Sequence, residues 1–302
     1  PMVDTKKKYL DPQTLSKLDG LQLRARKIIE GYVSGPHRSP YHGFSIEFTQ
    51  HRQYVPGDDL RHVDWKVFGR TDKVYLKQYE EETNLVSYLL LDTSESMLYQ
   101  GSHSPLSKLE YAKCIAASLA YLILQQQDSV GIATFDAELR NWVQPSGQPS
   151  HLKQILHVLE QAPGEKKTSM GPIFHDLAER FKKRGIVVIL SDLFDDPEKI
   201  LAGIKHFRHR QHDVIVFHIL DVDEREFPFH RMMRFCGLEN WPDRITDPRQ
   251  LRQIYLREME NFLQKISVGC RGQQVDYVPL LTDQSLDIAL SSYLAGRMVQ
   301  KT

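Results

Sequence analysis

The stretch Leu85-Val86-Ser87-Tyr88-Leu89-Leu90-Leu91-Asp92-Thr93-Ser94-Glu95-Ser96 decides how this chain is read. An apolar run with almost no polar interruption suits a strand buried on both faces, the habit of central strands in parallel sheets. The run stops at Asp92, and Ser94 and Ser96 follow at alternate positions. In open α/β sheets, ligands bind where loops leave the carboxyl ends of strands. In a tight loop there, one carboxylate and two hydroxyls can converge on a point. They form a hard donor set that suits Mg²⁺ or Mn²⁺ better than zinc. The same residue types also cap helices, so Asp92 or Ser94 has a plainer role open to it.

Two later stretches bear on that choice. Lys167-Thr168-Ser169-Met170-Gly171-Pro172 opens a helix, and Thr168 is either its cap or a second-loop ligand. Ile186-Val187-Val188-Ile189-Leu190 is a second buried strand that ends in Ser191-Asp192. Asp192 leaves its strand directly. Asp195 and Asp196, ahead of Pro197, suit a helix N-terminus, where negative charge is favoured.

Asp92-x-Ser94-x-Ser96, Thr168 and Asp192 together resemble the metal-ion-dependent adhesion site of von Willebrand factor A domains. The resemblance implies that three loops hold Mg²⁺ or Mn²⁺ through these five residues. One coordination position is left for a partner's carboxylate. It also implies a doubly wound, mostly parallel, Rossmann-type α/β sheet.

Upstream, the segment from Tyr41 to Asn84 mixes aromatic and charged residues. Asp58, Asp59, Arg61, Asp64, Arg70 and Lys77 read either as an ion network bracing a loop or as an exposed docking surface. Tyr54-x-Pro56-Gly57-Asp58-Asp59-x-Arg61-x-x-Asp64-Trp65, followed by Arg70, Lys77 and Glu80 to Glu82, resembles the signature of a bacterial family. That family is the domain of unknown function 58, whose members join such a segment to a von Willebrand A-like domain. The resemblance implies a chaperone-like role beside a MoxR-type AAA+ ATPase and a client protein. The sequence has no Gly-x-x-x-x-Gly-Lys-Ser/Thr, so such an ATPase is expected on another chain.

The remaining periodicities fill out one architecture. Apolar spacing predicts helices over residues 11–33, 107–127, 151–161, 171–183, 248–265 and 285–299, and another from Asp195 to about Arg208. Ser107 with Glu110 predicts a capping box. Strands are predicted at 129–135, 139–143, 213–220 and 275–280, with a small β excursion at about 224–247. Strands alternating with helices imply a mostly parallel sheet covered on both faces. Residues 1–84 are expected as an N-terminal helix and β-containing signature extension on a main domain, 85–302. Asp221 and Asp223 read as loop starters. His206, His209 and His212 lie among Lys205, Arg208 and Arg210, where cations complement a helix C-terminus and oppose a metal.

Composition narrows the function classes. The 302 residues are 41% hydrophobic and 26% charged with no formal net charge, which gives no case for nucleic acid or an acidic membrane as partner. No apolar run is long enough to span a bilayer, and the basic N-terminus lacks the apolar core of a signal peptide. Cys114, Cys236 and Cys270 form no disulfide or zinc pattern, so a reducing cytoplasm is expected. These readings point to a non-enzymatic, metal-dependent protein-binding module. A Mg²⁺-dependent phosphohydrolase with Asp92 as nucleophile is the enzymatic alternative, and Ser94 stands where such enzymes carry a second acid. A metal-free scaffold of the same fold is the third reading.

Overall fold

The computed structural model describes Leu21, Arg24–Arg26, Ile28, Ile29, the strands at 51–53 and 75–77, and residues 85–162, 170–235 and 244–299. Thr168, Cys236 and the signature residues Tyr54, Pro56, Gly57, Asp58, Asp59, Arg61, Asp64, Trp65 and Arg70 lie outside the described residues. The chain divides into two compact units, Arg38–Asn84 on its own and Pro1–His37 grouped with Leu85–Thr302. In the smaller unit, β1 (His51–Gln53) pairs antiparallel with β2 (Tyr75–Lys77), placing Arg52 opposite Leu76.

The larger unit begins with β3 (Val86–Asp92), α1 (Lys108–Gln125), β4 (Ser129–Phe135) and β5 (Leu139–Ser146). Next come α2 (His151–Gln161), α3 (Met170–Arg180), β6 (Ile186–Ser191), α4 (Pro197–His209) and β7 (Asp213–Leu220). The chain closes with α5 (Val222–Glu226), β8 (Met233–Phe235), β9 (Arg244–Thr246), α6 (Pro248–Gly272), β10 (Asp276–Leu281) and α7 (Asp287–Val299). Strands β8 and β9 form the expected small antiparallel excursion.

Six strands make one sheet in the order β10-β7-β6-β3-β4-β5, all parallel except the antiparallel edge strand β5. This is the doubly wound, mostly parallel α/β sheet that the sequence predicts. From β3 the chain winds outward to β4 and β5, then returns to the other side of β3 to lay down β6 and β7. The winding reverses between β3 and β6, which makes a crevice at their carboxyl ends, where ligands collect in such sheets.

Strand β3 is buried throughout, as its largely apolar run predicts. On one face, Phe174 of α3 and Ile200, Ile204 and Phe207 of α4 cover β3, β6 and β7. On the other, nearly the whole of α1 is buried. Helix α1 starts where its cap predicts, since Ser107 Oγ accepts the Glu110 N–H at 3.2 Å. The return half of the capping box is not made. The Glu110 carboxylate turns instead to Arg24, 3.3 Å away, and to Lys113 at 3.2 Å. The helical residues Leu21, Ala25, Ile28 and Ile29 are buried in the same unit.

Helix α3 stops earlier than periodicity suggests, because Phe181 turns inward to stack on Tyr88 with ring centroids 3.9 Å apart. Helix α6 runs past its expected end, since Ile266 and Cys270 continue its buried stripe.

Between α3 and β6, a Cβ added at Gly185 would meet the Val86 carbonyl oxygen at 2.0 Å. Gly185→Ala is therefore expected to lower unfolding free energy by about 1–3 kcal/mol in a urea titration. Gly272→Ala is the control, because a Cβ there meets nothing within 4 Å. It should leave stability unchanged or raise it by up to about 1 kcal/mol through helix propensity.

Candidate functional site

The site is built where β3 and β6 end. Thr93, the first residue beyond β3, fixes the departing loop to β4: its N–H and hydroxyl both donate to the Phe135 carbonyl, at 2.7 and 3.0 Å. The Asp92 carboxylate is fully buried beneath that loop. Its Oδ1 accepts the Ser94 N–H at 2.9 Å, and its Oδ2 accepts the Ser191 hydroxyl at 2.6 Å. A single 3₁₀ turn, Glu95–Leu98, then brings the Ser94 and Ser96 hydroxyls within 3.1 Å of one another.

From β6, Asp192 enters the same crevice. Its Oδ1 accepts the Phe194 N–H at 3.2 Å, and its Oδ2 takes the Lys108 ammonium at 2.8 Å. Lys108 Nζ lies 2.6 Å from Glu224 Oε1 as well. Leu193, next in the chain, has a left-handed φ of 53°. That conformation is costly for a branched side chain. Complete burial of Leu193 and its N–H bond to Ser191 Oγ, 2.8 Å long, hold it there.

Four of the five residues singled out from sequence, Asp92, Ser94, Ser96 and Asp192, thus converge. The fifth, Thr168, lies outside the described residues. Asp195 and Asp196 serve helices instead, accepting the Met170 N–H of α3 at 3.2 Å and the Glu198 N–H of α4 at 2.8 Å. The histidine run gathers no metal triad. His206 packs edge-on to His175, and among the described residues no three His, Cys, Asp or Glu side chains group to hold a metal.

Sequence reading missed Lys108, Ser191 and Glu224, and took Asp221 and Asp223 for loop starters. Asp221 does cap α5, accepting the Asp223 N–H at 2.9 Å, but it also accepts the Gly101 N–H at 2.9 Å and the Thr282 hydroxyl at 3.2 Å. Asp223 accepts from Ser102 N at 3.2 Å and Tyr99 OH at 3.4 Å. The two buried acids clamp the loop that follows Ser96. One available signal was the capping pattern Asp221-x-x-Glu224, whose Glu224 Oε2 returns to the Asp221 N–H at 2.9 Å.

The charges are strongly interdependent. Burial, reinforced by the Asp192 charge, pushes the Asp92 carboxyl up to about 7 despite hydrogen bonds from Ser191 and Ser94. Burial acts on Asp192 in the same direction, but the Lys108 ammonium overrides it and holds that carboxyl below its usual range. Burial alone would lower Lys108, yet Asp192 and Glu224 hold it above the ordinary lysine range. Burial drives His218 down to about 4, so its ring is neutral near pH 7. The neutral ring then donates from Nε2 to the Asp192 carbonyl at 2.9 Å and accepts the Tyr277 hydroxyl at Nδ1, 2.7 Å away.

This donor set fits a hard divalent cation. Two carboxylates meet with neutral hydroxyl oxygens, and burial beside Asp192 disfavours the charge on Asp92 that a cation would stabilise. Leu98 and Phe194, two residues beyond Ser96 and Asp192 in the chain, are exposed.

The raised Asp92 pKa gives a pH signature. Its folded value near 7 exceeds the unfolded value of about 4. Its favourable contribution is therefore full below about pH 4 and is lost as pH rises through about 7. In EDTA, Asp92→Asn should gain stability relative to wild type between pH 5 and pH 8, by on the order of 1–4 kcal/mol. Parallel melting curves for the two proteins across that range would remove Asp92 as the titrating group.

Comparison with known proteins adds relatives. Uncharacterized protein Rv1480 of Mycobacterium tuberculosis is 27% identical over 221 residues, covering 72% of this chain and 68% of that protein. The structure of BatB from Bacteroides thetaiotaomicron covers 72% of this chain and 98% of its own at 16% identity, with a TM-score of 0.48. An aerotolerance-related membrane protein from Bacteroides fragilis covers 72% of this chain and 100% of its own at 17% identity, with a TM-score of 0.49. Among the described residues of the present chain, no helix is long and apolar enough to cross a membrane. Residues 50–261, which contain most of the signature segment, β3 and the loops of Asp92 and Asp192, match one family, and the chain belongs to it: Protein of unknown function DUF58.

Proposed function

We propose that this chain is a non-enzymatic protein-binding module whose contact is completed by Mg²⁺ or Mn²⁺ at Asp92, Ser94, Ser96 and Asp192, together with Thr168. One observation carries the reading. Two buried carboxylates and the Ser94 and Ser96 hydroxyls converge at the point where the sheet's winding reverses. A dication bound there would exchange a water for an anionic oxygen of a partner. The chain's own residues supply charge and aim. Ser191 orients the Asp92 carboxylate, His218 fixes the Asp192 peptide, and Asp221 and Asp223 hold the loop behind Ser96.

The partner we propose is a MoxR-type AAA+ ATPase, working with a client protein in chaperone-like maturation. Support comes from the family resemblance of the signature at Tyr54 to Arg70, which is an analogy. The scattered cysteines favour a reducing cytoplasm as the setting. A metal-free scaffold is the second reading, favoured by the Lys108 ammonium 2.8 Å from Asp192, which already meets part of the acid charge.

The test is a pull-down from native cell extract with Mg²⁺, with EDTA, and with Asp92→Ala in place of wild type. An AAA+ ATPase retained only by wild type in Mg²⁺ is the expected result. Retention indifferent to both changes would move the contact away from this crevice.

A further inference from the structure

Lys108 is out of place by ordinary rules. It is the first residue of α1 and is only 1% exposed. A cation at a helix N-terminus opposes the helix dipole. A lysine is almost never fully buried unless it is paired. Nothing in the packing of α1 on the sheet calls for an ammonium at this position.

What holds it is a pair of acids from separate elements. Nζ lies 2.8 Å from Asp192 Oδ2 and 2.6 Å from Glu224 Oε1, with the Tyr99 ring centroid 5.9 Å away. Asp192 sits in the loop after β6, and Glu224 sits on α5, a helix whose capping acid Asp221 also ties down Gly101. The ammonium is thus shared between a candidate metal ligand and an acid outside the ligand set. With all three carboxylates ionised, Asp92, Asp192 and Glu224 against one ammonium leave two uncompensated negative charges, the charge that one dication neutralises.

We propose that Lys108 is the resident counter-cation of Asp192 and sets the cation affinity of the site. Its ammonium competes with a divalent metal for the charge of Asp192, and Glu224 is the acid that retains the ammonium when a metal is captured. The inference rests on the metal-dependent reading above and deepens it: metal uptake becomes conditional on how Lys108 is divided between its two acids.

The experiment measures Mn²⁺ binding directly, by electron paramagnetic resonance of the free ion, on the full chain. Wild type is compared with Lys108→Met, Lys108→Arg, Glu224→Gln and Asp92→Asn, each checked for folding by circular dichroism. Removing a nearby positive charge should tighten Mn²⁺ binding by Lys108→Met at least about tenfold. Glu224→Gln should weaken it, and Lys108→Arg should stay near wild type. Opposite signs for Lys108→Met and Glu224→Gln are the signature, because a purely structural role for the ion pair predicts that both variants bind worse.

If Lys108→Met does not fold, a Glu224→Gln affinity equal to or above that of wild type overturns the proposal. Equal binding by wild type and Lys108→Met, with binding lost in Asp92→Asn, overturns this inference and leaves the metal reading standing. Binding that survives Asp92→Asn overturns the metal site itself. No binding by wild type but clear binding by Lys108→Met supports the competition directly. No binding by either overturns both.

Discussion

Two carboxylates at the ends of neighbouring parallel strands repel each other in a place where water cannot screen them. Asp92 and Asp192 are both nearly or wholly buried, and one raises the pKa of the other. The surroundings of the crevice answer this repulsion. Lys108 neutralises one acid, the Ser191 hydroxyl and the Ser94 N–H spread the charge of the other, and a neutral imidazole holds the Asp192 carbonyl. Removing the Lys108 ammonium alone would leave a buried carboxylate charge uncompensated, which costs more than the intact pair contributes. The arrangement is therefore better understood as a prepared place for charge than as a device for stability.

The order of the strands makes the repulsion unavoidable. A sheet that winds outward from β3 and then returns to its other side must bring the carboxyl ends of β3 and β6 together. The loops that leave either strand therefore border the same crevice. Local sequence chemistry then selects which group enters: Thr93 turns to β4 while Asp92 points in, and Asp195 turns to α3 while Asp192 points in.

Much of this was legible in the chain. The largely apolar run from Leu85 to Leu91 specified a doubly buried strand, and alternation of strands and helices specified the parallel sheet. Asp92, Ser94, Ser96 and Asp192 were readable because each lies where a strand or loop meets the crevice. Lys108 was not, because it sits at the start of a helix where a charged residue reads as solvated, and only the tertiary approach of Glu224 and Asp192 buries it. Asp221 and Asp223 were misread for a related reason. Their capping pattern is local, but their second bonds, to Gly101 and Ser102, span more than a hundred residues and leave no periodic trace. The ends of α3 and α6 moved because Phe181, Ile266 and Cys270 answer to packing partners on other elements, not to helix propensity.

Leu193 makes one side of the crevice stiff. Its left-handed backbone keeps the Asp192 carboxylate in place only while its side chain is plugged into the core. Swinging that acid would draw the cork, so the β6 side behaves like a fixed jaw whose opening demands the free energy of disrupting the core around α3 and α4. Local breathing belongs to the opposite jaw. The segment from Tyr99 to Ser104 is held there by hydrogen bonds and a single glycine-sized gap against Asp221. The two halves of the site thus differ in what opening would break, core packing around Leu193 on one side and a few hydrogen bonds on the other.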